Sequence, residues 1–260
     1  MEPSRPDKLL ASIGQERTDA CEEHGAFTAR NLIGRIWSKC PTCVQIASDR
    51  QRAEESLRLE AERERRHAAA LAESRIPARF IGRSFDNFVV STDDQRRAVT
   101  AARDYAENFD EHLKRGTGLV MSGMPGNGKS HLASAILQHL LARDVRYITC
   151  LSMIRAIRET WRRDSEQSER SILSYFGGLD LLVIDEIGVQ YGSDGEQTII
   201  FDVLDMRYRE MKPTILLTNQ DKAGLKTFIG ERTFDRLIET SRWIAFDWES
   251  YRPTARKAAA

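Results

Sequence analysis

The chain has 260 residues, with Lys and Arg together numbering 39 and Asp and Glu also 39, so its formal net charge is zero. That balance excludes a surface that is basic all over and an acidic tail, and confines any nucleic-acid contact to a local patch. No apolar stretch approaches the roughly 18 residues of a membrane span, and Met1-Glu2-Pro3-Ser4-Arg5 lacks the apolar core of a signal peptide, which predicts a cytoplasmic protein with no membrane partner.

The length allows one α/β domain of moderate size and a small appendage. At the start, Leu9, Leu10 and Ile13 are spaced as on one short helix face. Cys21-Glu22-Glu23-His24 and Cys40-Pro41-Thr42-Cys43 then form the pattern C-x2-H…C-x2-C. Two-residue gaps let a tight knuckle turn two ligands toward one tetrahedral Zn²⁺, and four protein ligands leave no open position for catalysis. The spacing therefore predicts a structural zinc site at Cys21, His24, Cys40 and Cys43. Metal binding would supply on the order of 10 kcal/mol to a segment too short to stabilise itself by burial. Residues 1–44 form this module.

Residues 45–76 are rich in Ala, Glu and Arg, which predicts a charged linker helix with opposite charges at helical neighbour spacing, as in Glu62 with Arg66. Pro77 breaks it. Phe80, Phe85 and Phe88 follow, candidates for core packing or for a wall against an adenine ring. A helix is predicted over Gln95 to Leu113, with Ala98, Ala101, Ala102, Tyr105 and Phe109 on its core face.

Gly118 to Ser122 reads as a strand and Leu132 to Leu137 as a helix. Between them lies Gly123-Met124-Pro125-Gly126-Asn127-Gly128-Lys129-Ser130, the pattern G-x-x-x-x-G-K-S. Glycines here let backbone N–H groups curl around a phosphate, while the helix N-terminus faces the anion. The candidate nucleotide-binding residues are Gly123, Pro125, Gly126, Asn127, Gly128, Lys129 and Ser130. Lys129 would reach the β- and γ-phosphates of ATP, and the Ser130 hydroxyl would join the shell of a Mg²⁺ ion.

Val145 to Thr149 reads as a strand, with Ser152 as the expected N-cap of a helix running to about Trp161. Arg155, Arg158 and Arg162 share a helical spacing beside Trp161. Two readings stand for them: a contact to single-stranded DNA, or a solvated face. Cys150 reads as a small buried hydrophobe. Leu179 to Glu186 is an apolar run ending in two carboxylates, a central parallel strand that presents its acids at the edge where ligands bind in open α/β sheets. Asp185 would hold Mg²⁺ through its water shell, and Glu186 would act as general base toward the attacking water. Adjacent strand residues point to opposite faces, so the two acids should take different roles. Gly195 to Arg209 reads as a helix. Thr214 to Asn219 reads as a buried strand whose terminal Asn219 could orient the same water.

These motifs, in this order, resemble the AAA+ ATPases, and more narrowly the bacterial and phage helicase-loader proteins of the DnaC type, in the IstB-like ATP-binding branch. The resemblance runs from about Phe80 to Arg252 and rests on Gly126 to Ala133, Leu181 to Gly188, Leu217 to Asn219, Gly230 to Arg236 and Trp248 to Arg252. It implies a P-loop α/β domain over residues 77–252, a parallel sheet flanked by helices, with a tail over 253–260 and no separate helical lid. It also implies that Asn219 is the sensor-1 residue, Arg236 an arginine finger reaching a neighbouring subunit's ATP, and Arg252 the sensor-2 arginine. Arg232, one helical turn from Arg236, is a rival finger. The implied partners are a replicative hexameric DNA helicase, gripped by the N-terminal module, single-stranded DNA, and further copies of the chain. Two rival functions remain: the helper ATPase of an insertion-sequence transposase, and a nucleotide-gated adaptor without useful turnover.

Overall fold

The structure, a computed structural model, describes residues 14–33, 36–188 and 194–251. The expected helix face at Leu9, Leu10 and Ile13, the residue Arg252 and the tail 253–260 lie outside the described residues. The chain divides into two compact units, Met1–Arg66 and His67–Ala260.

In the first unit, strand β1 (Glu16–Cys21) pairs antiparallel with β2 (Gly25–Ile33), and the register closes at Cys21 opposite Gly25. Glu22, Glu23 and His24 therefore form the connecting turn, which leaves through Gly25 at φ 76°. Strand β3 (Ile36–Trp37) adds to β2, and Trp37 lies under the Arg17 guanidinium at 4.3 Å. Helix α1 (Pro41–Ser74) begins between Cys40 and Cys43. Proline suits this first helical position, where its missing N–H leaves no hydrogen bond unmade. The expected boundary at residue 44 thus falls within the helix, whose first turn carries Cys43. Further along, α1 is solvated and laced with ion pairs such as Arg50 to Glu54 at 2.9 Å and Arg66 to Glu62 at 3.4 Å.

The second unit takes in the end of α1, where Ala70 and Leu71 pack against its core. Helix α2 (Asp93–Glu107) starts with a capping box between Thr92 and Gln95. The single helix expected over Gln95 to Leu113 is instead two, because α3 (Phe109–Arg115) begins after a break at Asn108. The Asn108 side-chain amide joins its own backbone N–H on the Asp104 carbonyl at 3.1 Å, a local side-chain-to-backbone bond that suits a helix end better than a helix interior.

A five-stranded parallel sheet follows, built from β4 (Gly118–Gly123), β5 (Val145–Thr149), β6 (Leu181–Ile187), β7 (Thr214–Thr218) and β8 (Ser241–Phe246), in the order β5-β6-β7-β4-β8. Among the described residues, the helices that flank it with α2 are α4 (Lys129–His139), α5 (Cys150–Glu159), α6 (Glu169–Gly178), α7 (Asp194–Arg209), α8 (Lys222–Ile229) and α9 (Glu231–Thr240). Strand periodicity splits the core. Leu119 and Met121 join Tyr105, Leu132 and Ile136 in one cluster, while Val120 between them joins Ile154, Ile200 and Val203 in the other. Phe85 is buried in the first cluster, with Phe80 and Phe88 packed on it. Helix α5 is capped by Thr149, whose hydroxyl accepts the Ser152 N–H at 3.2 Å, so Ser152 lies inside the helix it was expected to cap. Arg207 is buried and spends its guanidinium on neutral acceptors: the Thr214 hydroxyl and the carbonyls of Phe176, Leu179 and Pro213.

Candidate nucleotide site and metal cluster

The strand order puts β7 between β4 and β6, so the phosphate loop, Asn219 and the two carboxylates meet at the carboxyl edge of one sheet. Within the loop, Gly126 and Gly128 have φ of 89° and 99°. A Cβ on Gly128 would also come 2.4 Å from the Phe88 ring, so this glycine is required by space as well as by backbone angle. Of the three aromatics considered for an adenine wall, Phe88 is the one seated against the loop, and it meets His131 of α4 edge to face at 5.1 Å.

Lys129 donates to the carbonyls of Gly123 at 2.5 Å and Met124 at 2.9 Å, and to the Asn127 amide oxygen at 3.2 Å. Asn127 is buried, and its amide donates to the carbonyl of Phe246 at the end of β8. The segment beyond β8 ties to the same loop: Trp248 Nε1 donates to Asn127 O at 2.9 Å, and Tyr251 N to Gly126 O at 3.0 Å. Gly123, Pro125 and Asn219 line one open cleft of about 820 Å³ with Trp243, Phe246 and Trp248.

The Ser130 hydroxyl donates to Asp185 Oδ2 at 3.0 Å, joining the predicted magnesium pair across the sheet edge. Tyr147 donates to the same oxygen, and the backbone N–H of Glu186 donates to Asp185 Oδ1 at 2.7 Å. Burial and the adjacent Asp185 carboxylate hold the Tyr147 phenol above its ordinary range, so it remains a donor. The two acids do part, by a bulge rather than by plain alternation. Between Ile184 opposite Leu216 and Ile187 opposite Thr218, β6 spends one residue more than β7. Glu186 sits in that bulge at φ 60°, exposed, while Asp185 is half-buried. Bulges re-aim side chains in this way beside active sites.

The four predicted zinc ligands converge, their ligand atoms all within 4.8 Å of one another. Cys21 Sγ lies 3.5 Å from Cys43 Sγ, and His24 Nδ1 lies 3.6 Å and 3.3 Å from those sulfurs. A tetrahedron with Zn–S near 2.3 Å and Zn–N near 2.0–2.1 Å has edges of roughly 3.5–3.8 Å, so the donor set fits zinc. The Cys43 N–H holds the Cys40 thiol below its ordinary value, whereas the Cys21 sulfur, desolvation and the Cys40 sulfur push Cys43 up to about 12. Sulfurs this close do not all ionise without a cation among them.

The remaining candidates are more scattered. Arg236 forms an ion pair with Asp205 of its own chain and lies 4.9 Å over the Tyr208 ring. Arg232, exposed, stands 5.3 Å over Phe201. Helix α5 ends at Glu159, so Arg162 falls beyond it and pairs with Asp164 at 3.3 Å, while Arg158 lies 3.5 Å from Glu196. Trp161 is exposed, its indole donating to Glu169. Cys150 is buried, and burial pushes its thiol up to about 12. Sequence reasoning passed over Tyr147, Trp243 and Trp248. The signal available was chemical: phenols and indoles that are shielded from water need a hydrogen-bond partner, and Tyr147 and Trp243 lie on strands that end at the site, with Trp248 just beyond the second. Among the described residues, no helix is long and apolar enough to cross a membrane.

A family model described as IstB-like ATP binding protein matches residues 47–259. The replicative helicase loader DnaC of Escherichia coli K12 is 41% identical over 172 residues, which is 65% of this chain and 69% of that one. DnaC of Buchnera aphidicola from Schizaphis graminum is 36% identical over 189 residues, 72% of this chain and 76% of that one. Among solved structures, a DnaC helicase loader has a TM-score of 0.59 at 23% identity, covering 65% of this chain and 98% of that one. DnaI has a TM-score of 0.56 at 21% identity, covering 66% and 94%. The fold is the expected P-loop AAA+ domain, and the chain, similar in sequence to the replicative helicase loader DnaC, belongs to the IstB-like ATP-binding family.

Proposed function

We propose that this protein is an ATP-dependent loader of a replicative hexameric DNA helicase onto single-stranded DNA, acting in the cytoplasm. The observation that carries the reading is the 41% identity over 172 residues to a protein named as a replicative helicase loader. The site geometry supports ATP turnover. Lys129 would exchange its loop carbonyls for the β- and γ-phosphates, with the loop N–H groups and the start of α4 completing the cradle. Mg²⁺ held between Ser130 and Asp185 would neutralise charge on the phosphate oxygens. Glu186, exposed at the bulge, would take a proton from the attacking water, and Asn219 would orient it. Arg252 would meet the γ-phosphate of its own subunit. Arg236 would serve a neighbour's ATP, giving up Asp205 on assembly, and an arginine supplied in trans is worth roughly 10³ to 10⁵ in rate.

Residues 1–44 with the linker 45–76 would grip the helicase, the zinc holding the module's fold through Cys21, His24, Cys40 and Cys43. ATP-bound domains would line up on the DNA. The test is capture of the cognate helicase at physiological salt by the full chain and by a chain lacking Met1 to Arg75. Capture by the full chain alone is expected, and capture by neither refutes the reading. The IstB-like match favours one rival, a transposase helper ATPase. Stimulation of hydrolysis by a transposase and not by the helicase would decide for it.

A further inference from the structure

We infer that Tyr147 is a positioning residue for magnesium, acting through Asp185. The inference rests on the reading of Ser130 and Asp185 as the residues that hold the ion. Nothing in the phosphate-loop pattern points to β5, yet its third residue reaches the acid. Tyr147 is 4% exposed and its ring belongs to the core cluster beneath α4, together with Leu132, Ala133 and Ile136. Its hydroxyl donates to Asp185 Oδ2, the oxygen that also accepts from Ser130 at 3.0 Å.

Core packing alone does not account for that choice. Tyr105, buried in the same cluster, satisfies its hydroxyl on the Thr117 backbone carbonyl at 2.9 Å. Tyr147 instead spends its proton on a functional carboxylate. The consequence for Asp185 is geometric. Its Oδ1 is held by the Glu186 N–H at 2.7 Å and its Oδ2 by two hydroxyls, so the carboxylate is clamped on both oxygens. The two oxygens offer four lone-pair directions between them, and these three donors leave the second direction of Oδ1 for the ion's water shell. The Ser130 oxygen can ligate an ion while its proton still donates to Asp185. Tyr147 approaches from the buried side, so it orients the acid and does not ligate. Partners that orient a metal ligand typically change metal affinity or activity by 10–100-fold when removed.

The experiment is a Mg²⁺ titration of fluorescent-ATP binding to the full-length protein and to its Tyr147→Phe, Tyr147→Met and Asp185→Asn variants. Nucleotide affinity in EDTA and the thermal midpoint of the ATPase domain are read in parallel. The expected result is that Tyr147→Phe raises the half-saturating Mg²⁺ concentration about tenfold, with its EDTA affinity and thermal midpoint unchanged. Tyr147→Met, which has no donor but is smaller than the ring, should raise the half-saturating Mg²⁺ concentration likewise while lowering the thermal midpoint. If Asp185→Asn shifts the Mg²⁺ dependence and neither Tyr147 variant does, the inference is overturned while the magnesium reading stands. Equal losses of EDTA affinity and thermal midpoint in the Tyr147 variants, at unshifted Mg²⁺ dependence, also overturn it. An unshifted Asp185→Asn overturns the magnesium reading, and the inference with it.

Discussion

Zinc removal should unfold the N-terminal unit while leaving the ATPase domain folded. Among the described residues of Met1–Arg66, those buried are Ala29, Asn31 and Cys40, and Cys40 is itself one of the proposed zinc ligands. Leu32, Ile33 and Ile36 are exposed by 52%, 62% and 60%, so the larger side chains of the hairpin contribute little burial. A methyl-sized side chain such as Ala29 is worth about 1 kcal/mol when buried, and two-stranded hairpins are marginal in water. A closed zinc site supplies on the order of 10 kcal/mol. The metal term is thus about tenfold the apolar term, and Cys40→Ala or zinc chelation should abolish the fold of this unit. The assay is amide hydrogen exchange over residues 16–37, with metal analysis of the same sample. Protection should require about one zinc per chain. Protection that persists in protein stripped of zinc would falsify the argument.

Replacing Arg207 with Met should cost about 1–3 kcal/mol for each buried carbonyl left unpaired, since those of Phe176, Leu179 and Pro213 lose their donor inside the core; calorimetry of the ATPase domain measures it. Asn127→Ala removes the donor to Phe246 O and the acceptor for Lys129, and should cost about 1–3 kcal/mol, a fall of a few degrees in the thermal midpoint, along with weaker ATP binding. Glu186→Gln should keep ATP affinity while slowing single-turnover hydrolysis about 10²- to 10⁴-fold. An unchanged single-turnover rate would remove Glu186 from the general-base role.

Sequence legibility followed the range of the interactions. The phosphate loop and the apolar run into Asp185 and Glu186 could be read because their chemistry is carried by neighbours in sequence, and the Cys21–His24 and Cys40–Cys43 pairs because each spans one turn. Capping and helix breaks were less legible. Thr149 and Ser152 offer the same hydroxyl, and the choice falls to Thr149 because β5 ends there, a fact of the sheet. The break at Asn108 turns on one amide reaching one carbonyl. Least legible were contacts between distant residues, such as Tyr147 to Asp185 and Trp248 to Asn127, which exist only once the parallel sheet sets its register. The bulge at Glu186 belongs with these. Strict alternation predicts two opposed acids, and the inserted residue achieves the separation by a backbone turn that no side-chain pattern announces.

The loop's own wiring carries the last step. Asn127 joins Lys129 on one side to the end of β8 on the other, while Trp248 and Tyr251 hold the backbone of Asn127 and Gly126. Tyr251 is the residue before Arg252. A loop rearrangement that breaks the bond from Tyr251 N to Gly126 O therefore frees the chain at Tyr251. Lys129 is engaged by loop carbonyls and the Asn127 amide, so an arriving phosphate competes for the cation at the same point. The Lys129 contact to Asn127 and the Tyr251 contact to Gly126 thus fall on adjacent loop residues, so a phosphate that draws Lys129 away acts beside the point that holds Tyr251.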